Sequence, residues 1–363
     1  MPKPRAPAAP EPPPRAERAV TAHDVAQRAG VSQSAVSRSF TPGASVSPAT
    51  RARVEAAAQA LGYRPNLIAR SLITRRSRIV GVAVAYLENP FYPALLEALS
   101  VALEAAGYRV LLFTARPGAN TDPMLEEVLR YRVDALVLAS IGLSSRFARE
   151  CRQAGVPVVL MNRRTEDAGA SSVTADNAGG AALIARFLAA GGHRRPAFVA
   201  GSEGVSTSRD RELAFAAALR ALGLGPPLRA VGHYEFAGAE AATRVLLSAA
   251  EPPDALFCAN DHMAFAALGV ARREFGREVG RDLSIVGFDD AGPAGWAALD
   301  LTTYAQPLAP MVARVVATLL AQLADAAAPP AQEVVPGVLL LRGSARLPGT
   351  GVVVEQGRQV WRG

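Results

Sequence analysis

The pattern of apolar and polar positions over residues 21–38 predicts two short helices joined by a tight turn. The first helix has a narrow apolar stripe, made by Val25, Ala26 and Ala29. Thr21 can cap this helix, and Gly30 permits the left-handed backbone that ends it. The second helix can be capped by Ser32, and its outer surface carries Gln33, Ser34, Ser37 and Arg38. This pattern is typical of a helix-turn-helix that binds DNA. The alternative interpretation is that the segment is simply a pair of Ala-rich helices without a DNA-binding role.

A third helix completes the predicted head at residues 20–64. Ser47 is its cap, Pro48 its first residue and Gly62 its end. The segment 65–78 begins with a possible helical turn that is too short and too exposed to be stable alone. It is therefore interpreted as a hinge helix and linker that orders only against another surface. Residues 1–19, rich in Pro, Ala and Arg, are predicted to be a disordered tail.

From residue 79 onward, short apolar runs alternate with helical patterns, which predicts an α/β fold with two doubly wound parallel-sheet lobes. The first series of runs is 79–85, 109–113, 135–139 and 156–160, and the second is 172–175, 197–200, 255–258 and 283–287. Lobe 1 is predicted at about 79–163 and 305–330, lobe 2 at about 164–304 and 331–347, and a C-terminal tail at 348–363. Two such lobes form a ligand cleft where the carboxyl ends of their strands face each other.

Positive charge is concentrated at the start of the 363-residue chain. Residues 1–78 contain 13 Lys and Arg residues and 4 Asp and Glu residues. The rest of the chain contains 26 Lys and Arg residues and 28 Asp and Glu residues. A basic segment ahead of a near-neutral body is the charge distribution expected of a protein whose one end meets a polyanion. Charge therefore supports double-stranded DNA as the partner of the head.

Cysteine usage and hydropathy indicate a reducing compartment. The two cysteines, Cys151 and Cys258, lie 107 positions apart in apolar runs, so we expect buried thiols and no disulfide. No apolar stretch is long enough to span a bilayer, and the N-terminus lacks a hydrophobic signal core. These features favour a cytoplasmic, nucleoid-associated protein without a membrane partner.

Catalytic and cofactor motifs are missing from the sequence. No Gly-x-Gly-x-x-Gly follows the first predicted strand, no Walker loop occurs, and the four histidines have no metal-ligand spacing. The polar cluster Ser206-Thr207-Ser208 has no adjacent histidine to act as its base. We expect no catalytic residue, no metal and no cofactor. A solute-binding protein without a DNA role is the alternative to a regulator.

Several motifs occur along the chain in a characteristic order. They are Asp24-Val25-Ala26, Ala29-Gly30-Val31-Ser32, Val46-Ser47-Pro48, Leu61-Gly62-Tyr63-Arg64-Pro65-Asn66, Ala69-Arg70-Ser71-Leu72, Asn89-Pro90-Phe91-Tyr92, Gly192-His193-Arg194-Arg195, Asn260-Asp261 and Val286-Gly287-Phe288-Asp289-Asp290. From about Val20 to Leu347, this order resembles the lactose-repressor and purine-repressor (LacI/GalR) family of bacterial transcription regulators. The resemblance implies a homodimer on a pseudo-palindromic operator.

The resemblance also implies which residues contact DNA. Base edges would be met by Gln33, Ser34 and Arg38, and the other implied contacts are Thr21, Ser32, Ser37, Ser47, Thr50, Tyr63, Asn66 and Ala69. Leu72 matches the family's apolar wedge, which unstacks a central base step in the minor groove; packing against the lobe below is its alternative role. One departure is Thr41, where the family usually has Asn.

The same resemblance places a small effector in the cleft. Matching positions nominate Tyr92, Asn162, Arg211, Tyr234, Asn260 and Asp289 as its contacts. The flat faces of Tyr92 and Tyr234 suit a pyranose or a purine, and Arg163, Arg164 and Arg211 would also suit an acidic sugar if all three face the cleft. Of these, we expect a sugar or sugar derivative as the effector. Asp289 and Asn260 could instead cap helices, and Tyr92 could be packing. The resemblance implies a regulator, expected to be a repressor, although both release from DNA and recruitment to it are compatible with the motifs.

Overall fold

The computed structural model describes residues 20–41, 43–64, 76–115, 122–164 and 169–363. The chain forms two compact units that divide before Arg76. Within these ranges, no helix is both long and apolar enough to cross a membrane. Cys151 and Cys258 are buried free thiols, which confirms the prediction made from their surroundings.

The first unit holds three helices, as the sequence predicts: α1 (Ala22–Ala29), α2 (Gln33–Ser39) and α3 (Pro48–Leu61). Thr21, Ser32 and Ser47 each accept a hydrogen bond from a backbone N–H in the first turn of the helix that follows. Gly30 and Gly62 end α1 and α3 in the left-handed conformation. The small core is formed by Val25, Ala26, Ala29, Val36, Val54, Ala57 and Ala58.

Lobe 1 of the second unit is a six-stranded parallel sheet with helices packed on it. Its first strands and helices alternate as β1 (Ile79–Ala85), α4 (Phe91–Ala105), β2 (Arg109–Ala115), α5 (Asp122–Arg130), β3 (Ala135–Ala139), α6 (Ser145–Ala154), β4 (Val158–Met161) and β5 (Ser171–Ala175). Two later elements, which the chain reaches after lobe 2, complete it. The strand order is β11-β5-β4-β3-β1-β2, where β11 is Gln332–Val335.

Lobe 2 contains an eight-stranded sheet. Its elements are α7 (Asn177–Ala190), β6 (Pro196–Ala200), α8 (Ser206–Ala221), β7 (Leu228–Val231), α9 (Phe236–Leu247), β8 (Ala255–Cys258), α10 (Asp261–Arg273), β9 (Ser284–Asp289) and β10 (Thr302–Ala305). The chain then forms α11 (Leu308–Ala324) against lobe 1, the strand β11, and finally β12 (Val338–Leu340), β13 (Val352–Glu355) and β14 (Arg358–Trp361). Strands β7-β6-β8-β9-β10 are parallel, and β12, β14 and β13 continue the sheet antiparallel.

The predicted lobe boundaries are wrong at two strands. The sequence pattern places the run 172–175 in lobe 2, but β5 pairs with β4 in lobe 1. The pattern also places the segment 331–347 in lobe 2, yet its first strand, β11, pairs with β5. The chain therefore crosses between the lobes three times, after β5, β10 and β11. The prediction failed because the sheet that a strand joins is decided by its pairing with a neighbouring strand, which the local sequence pattern does not show.

The predicted C-terminal tail at 348–363 is also wrong, since residues 352–361 form the hairpin β13–β14. The Trp361 side chain is 4% exposed, and its ring lies 5.7 Å from that of Phe187. Its indole Nε1 donates a 3.0 Å hydrogen bond to the carbonyl oxygen of Thr350. The buried Trp361 side chain, together with the pairing of β14 with β12, therefore attaches the polar end of the chain to lobe 2.

Replacing Trp361 by alanine is expected to lower the free energy of unfolding by about 3 kcal/mol, because a large buried ring leaves a cavity. Chemical denaturation of the full chain measures this loss. Trp296, which is 62% exposed, provides the matched control, and its replacement by alanine should change stability by less than about 0.5 kcal/mol. Equal effects of the two substitutions would contradict the assigned role of Trp361.

Candidate functional site

The outer face of α2 presents the predicted base-reading side chains together. Gln33, Ser34, Ser37 and Arg38 are all exposed, while Ala35 and Val36 are buried against the other helices. Short side chains beside one arginine leave room for the helix backbone to approach a groove. This surface can enter a major groove and donate hydrogen bonds to base edges.

The other predicted DNA contacts have local structural roles as well. Ser47 donates a 2.8 Å hydrogen bond to the Thr50 hydroxyl and caps α3. Thr21 forms a capping box with Asp24, Ser32 caps α2, and the half-buried Tyr63 ring lies 6.1 Å from that of Phe40. The predicted contacts Asn66, Ala69 and Leu72 lie outside the described residues.

A small cavity, of about 20 Å³, lies between the two lobes of the second unit. All six predicted effector residues line it: Tyr92, Asn162, Arg211, Tyr234, Asn260 and Asp289. Five further residues line it that the prediction did not include: Tyr86, Asn89, Ser140, Arg163 and Thr207. Most of these side chains follow the carboxyl ends of parallel strands, where open α/β sheets bind their ligands.

The lobe 1 wall of this cavity is a hydrogen-bonded polar cluster. The Tyr92 hydroxyl is hydrogen-bonded to the Ser140 hydroxyl, and the Asn162 amide Nδ2 donates to Tyr92 at 3.4 Å. Arg163 donates a 3.0 Å hydrogen bond to the carbonyl oxygen of Ser140. Burial raises the pKa of Tyr92 to about 12, so its phenol keeps its proton and can donate to a ligand oxygen.

The lobe 2 wall is organised around Arg211, a fully buried arginine on α8. Its guanidinium donates from Nε to the Asn177 Oδ1 at 2.8 Å and from Nη1 to the carbonyl oxygen of Ala259. The same group lies 3.6 Å above the centre of the Phe288 ring. These contacts fix the position of the cation at the edge of the cavity.

Asn260 and Asp289 differ in how their side chains are held. Asn260 caps α10, since its Oδ1 accepts a 3.0 Å hydrogen bond from the Met263 N–H. Asp289 does not cap a helix; its carboxylate accepts from the Gln306 amide at 2.6 Å and from Asn89 of lobe 1 at 3.5 Å. The helix-capping alternative therefore describes Asn260, whereas Asp289 lies in a contact between the lobes.

A second carboxyl group, that of Asp261, is buried behind Asp289. It accepts hydrogen bonds from the Thr303 hydroxyl at 2.5 Å and from the Ala291 N–H at 2.8 Å. Burial, with the nearby charge of Asp289, raises the pKa of Asp261 to about 8, and burial raises that of Asp289 to about 6. Two buried carboxyl groups, of which Asp289 lines the cavity and lies near Arg211, therefore make this part of lobe 2 sensitive to pH.

We expect the contribution of Asp261 to the free energy of unfolding to fall as the pH rises from about 4 to about 8. Across this range the folded protein keeps a proton on Asp261 that the unfolded chain releases near its ordinary pKa. Thermal unfolding of the wild type and of Asp261→Asn between pH 5 and pH 8 measures the effect. The variant should show a smaller decline, and identical pH dependence in both proteins would contradict this assignment.

Three buried polar atoms of residues that line the cavity have no hydrogen-bond partner among the described residues. They are the Arg211 Nη2 and the Arg163 Nε, both donors, and the Asn162 Oδ1, an acceptor. Buried polar atoms are almost always paired, so these three atoms make the cavity a candidate ligand site. Together with the aromatic rings of Tyr92 and Tyr234, they suit a polar ligand with a flat or ring-shaped body.

Five residues that line the cavity have positive φ angles. Tyr86, Ser140, Asn162 and Tyr234 have φ angles between 56° and 63°, and Asp289 has φ 143°. Such values are costly for residues other than glycine, and they occur where a side chain is held for function. Tyr86 and Ser140 were missed by the prediction, although each immediately follows a predicted strand, and that position was the signal available.

A Ser-His-Asp arrangement occurs elsewhere in lobe 2. The Ser284 hydroxyl lies 2.7 Å from the His193 Nε2, and the His193 Nδ1 lies 3.6 Å from the Asp254 carboxylate. Ser284 is 1% exposed, and its hydroxyl also accepts a hydrogen bond from the Arg346 N–H. The group connects the sheet to its loops, and a substrate has no access to the serine.

The comparisons with known proteins cover both units. Residues 21–66 match the family described as bacterial regulatory proteins, lacI family, and residues 185–345 match the periplasmic binding protein-like domain. The chain is 35% identical over 292 residues to the HTH-type transcriptional regulator CelR of Thermobifida fusca. This alignment covers 78% of this chain and 86% of CelR. It is 31% identical over 333 residues to the repressor CytR of Escherichia coli, covering 91% and 97%.

Two solved structures extend the comparison. The CelR–cellobiose complex has a TM-score of 0.68 and 31% identity, over 90% of this chain and 100% of that one. The lac repressor dimer bound to operator and the anti-inducer ONPF has a TM-score of 0.80 and 28% identity, over 90% and 98%.

A helix-turn-helix unit followed by two lobes around a cavity defines a DNA-binding transcriptional regulator with a periplasmic-binding-protein-like body. The chain belongs to the lacI family of bacterial regulatory proteins. Its relatives are transcriptional regulators, which confirms the prediction that the chain is not an enzyme. They align over the helix-turn-helix too, which removes the alternative of a solute-binding protein without a DNA role.

Proposed function

We propose that this protein is a homodimeric repressor that binds a pseudo-palindromic operator, and that a sugar-like effector between its lobes controls this binding. The proposal is supported by the repressor CytR, by CelR in complex with cellobiose, and by the lac repressor dimer on its operator. Its site of action is nucleoid DNA in the cytoplasm.

The observation that carries the effector part of the proposal is that buried polar atoms of three cavity-lining residues, Arg211, Arg163 and Asn162, have no hydrogen-bond partner among the described residues. A sugar hydroxyl can accept from the Arg211 Nη2 and donate to the Asn162 Oδ1, so one molecule would bridge both lobes. The Tyr92 and Tyr234 rings supply apolar surface for the faces of the sugar ring. Asn260 and Asp289 complete the proposed set of effector residues.

The DNA side of the proposal rests on the exposed face of α2. Gln33, Ser34 and Arg38 would contact base edges, while the remaining predicted contacts would hold phosphates or, for Leu72, the minor groove. Every phosphate neutralised should add about −0.9 to the slope of log affinity against log salt concentration. Binding to the operator is therefore expected to weaken steeply with salt.

Control of DNA binding would follow from closure of the cleft. The lobes contact each other through Asn89 and Asp289, and through Arg164, whose N–H donates to the Ser206 hydroxyl at 3.2 Å and whose guanidinium lies 3.7 Å from Asp210. An effector that binds both walls stabilises one arrangement of the lobes over others. In the proposed dimer, that arrangement sets the positions of the two segments 65–78.

A thermal-shift screen of the full chain with sugars and nucleobases tests the effector class. A ligand that binds only the folded protein raises its melting temperature, by an amount that grows with ligand concentration. We expect a neutral sugar to produce such a shift. A shift with nucleobases alone, or with none of the sugars, would contradict the proposal.

A further inference from the structure

Lobe 1 contains a cavity of its own, of about 430 Å³, which we call the lobe 1 cavity. Its volume lies within the range of roughly 300–1,000 Å³ that is usual for small-molecule sites. It is lined by α6, by the residues that lead into β4 and β5, and by the end of α11 with the loop that follows it. Among the described residues, none lines both this cavity and the one between the lobes.

The lobe 1 cavity lies at the amino ends of the strands of its sheet. Residues 155–157 precede β4, Ala170 immediately precedes β5, and residues 328–330 lead into β11. The cavity between the lobes lies instead at the carboxyl ends, where Ser140 follows β3 and Asn162 follows β4. The two cavities are therefore at opposite ends of the lobe 1 sheet.

The chain enters lobe 1 at the same end as this cavity. The Ser77 N–H and hydroxyl donate hydrogen bonds of 2.7 Å and 2.9 Å to the carboxylate of Asp134, just before β3. Arg76 donates a 3.2 Å hydrogen bond to the carbonyl oxygen of Leu323, which is next to the cavity-lining Gln322. A ligand in the lobe 1 cavity would thus bind beside the end of α11 that Arg76 contacts.

The lining of the lobe 1 cavity is mainly apolar. It includes the buried side chains of Cys151, Val158 and Ala170, which belong to the core on this side of the sheet. Burial raises the pKa of the Cys151 thiol to about 12, so the thiol is neutral. In the described part of the chain, the lining contains one charged residue, the exposed Arg152, and no carboxylate. Such a surface favours an uncharged ligand, because the desolvation of an ion would not be offset.

One buried polar atom of a lining residue has no hydrogen-bond partner among the described residues. The Gln322 Nε2 donates a 2.9 Å hydrogen bond to the Ser171 hydroxyl, but the Gln322 Oε1 is unpaired. The Ser171 hydroxyl also accepts from the Ala331 N–H at 3.1 Å. Reversing the Gln322 amide would pair Oε1 with the Ser171 hydroxyl and leave Nε2 unpaired, so one amide atom lacks a partner in either orientation. A ligand hydroxyl group suits both orientations, because it can donate to Oε1 or accept from Nε2.

We propose that the lobe 1 cavity is a binding site for a neutral, largely apolar small molecule that carries a hydroxyl group. The apolar body of this ligand lies against the side chains of α6 and the strand ends, and its hydroxyl group is hydrogen-bonded to the Gln322 amide. The site is separate from the cavity between the lobes, so this inference does not depend on the proposed effector.

Calorimetry of the full chain with benzyl alcohol and toluene tests the proposal. Toluene is the more apolar of the two probes, so a cavity without a polar partner would favour it over benzyl alcohol. We expect benzyl alcohol to bind at least as tightly as toluene. Replacing Gln322 by leucine should lower the ratio of benzyl alcohol affinity to toluene affinity by roughly three- to tenfold, because one hydrogen bond is lost.

A variant of α6 tests whether the probes bind in this cavity. Ala148 is 3% exposed and lines the cavity, so the larger side chain of Ala148→Leu would occupy its space. We expect the affinity of both probes to fall at least about tenfold, without a fall in melting temperature, since filling a cavity commonly stabilises a protein. The matched control is Ala154→Leu, on the exposed surface of the same helix and outside the lining, which should leave both affinities unchanged.

Three results would overturn the proposal. They are no binding of either probe, wild-type affinities in an Ala148→Leu protein that circular dichroism shows to be folded, and an unchanged affinity ratio in Gln322→Leu. Should Ala148→Leu fail to fold, the affinity ratio in Gln322→Leu decides alone.

Discussion

Replacing Arg38 by alanine is expected to abolish the protein's preference for its operator over random DNA. Arg38 is exposed in the last turn of α2, on the same face as Gln33 and Ser34. An arginine that donates two hydrogen bonds to guanine contributes about 1–3 kcal/mol of discrimination. With one Arg38 in each head of the proposed dimer, roughly 2–6 kcal/mol is lost, a factor of about 30 to 10⁴.

The measurement compares affinities for a duplex selected by the wild-type protein and for a scrambled duplex at the same salt concentration. Arg53→Ala is the matched control, because Arg53 is exposed on α3 and outside the predicted base-reading face. It should weaken binding to both duplexes by similar factors, if at all. An Arg38→Ala protein that keeps its selectivity would show that α2 does not read the operator.

Replacing Arg211 by methionine is expected to remove the response of DNA binding to the effector. The substitution deletes the unpaired Nη2 donor of the cavity and the two hydrogen bonds to Asn177 and Ala259. A hydrogen bond from a charged group contributes about 1.5–3 kcal/mol, so we expect effector affinity to fall roughly 10- to 100-fold. The two abandoned acceptors should also cost stability, about 1–3 kcal/mol each.

Operator binding measured at the effector concentration that saturates the wild type tests this expectation. Arg220→Met is the matched control, since Arg220 is exposed near the end of the same helix, α8. The control should respond to the effector as the wild type does. A normal response in Arg211→Met, in protein shown by circular dichroism to be folded, would exclude Arg211 from the effector site.

Local signals in the sequence were sufficient to predict the head. Its three helices are capped by Thr21, Ser32 and Ser47, α1 and α3 end at glycines, and each cap depends on residues within four positions. The lobe boundaries were harder to predict because strand pairing is non-local. The residues 172–175 read equally well as a strand of either lobe, and only their pairing with β4 decides the choice.

The candidate effector site was predicted in part for a related reason. The resemblance to the family supplied six positions, and all six line one cavity. Ser140 and Tyr86 were missed because a single polar or aromatic residue after an apolar run also fits an ordinary loop. Their left-handed backbone, which the sequence of a residue other than glycine does not reveal, distinguishes them in the structure.

In the proposed function, a solute bound between the lobes sets the affinity of the head for DNA. The operator affinity of the full chain, measured at fixed salt with and without the sugar that gives the largest thermal shift, tests this coupling. We expect the affinity to change at least tenfold, in either direction. A sugar that binds the cleft while leaving the operator affinity unchanged would contradict it.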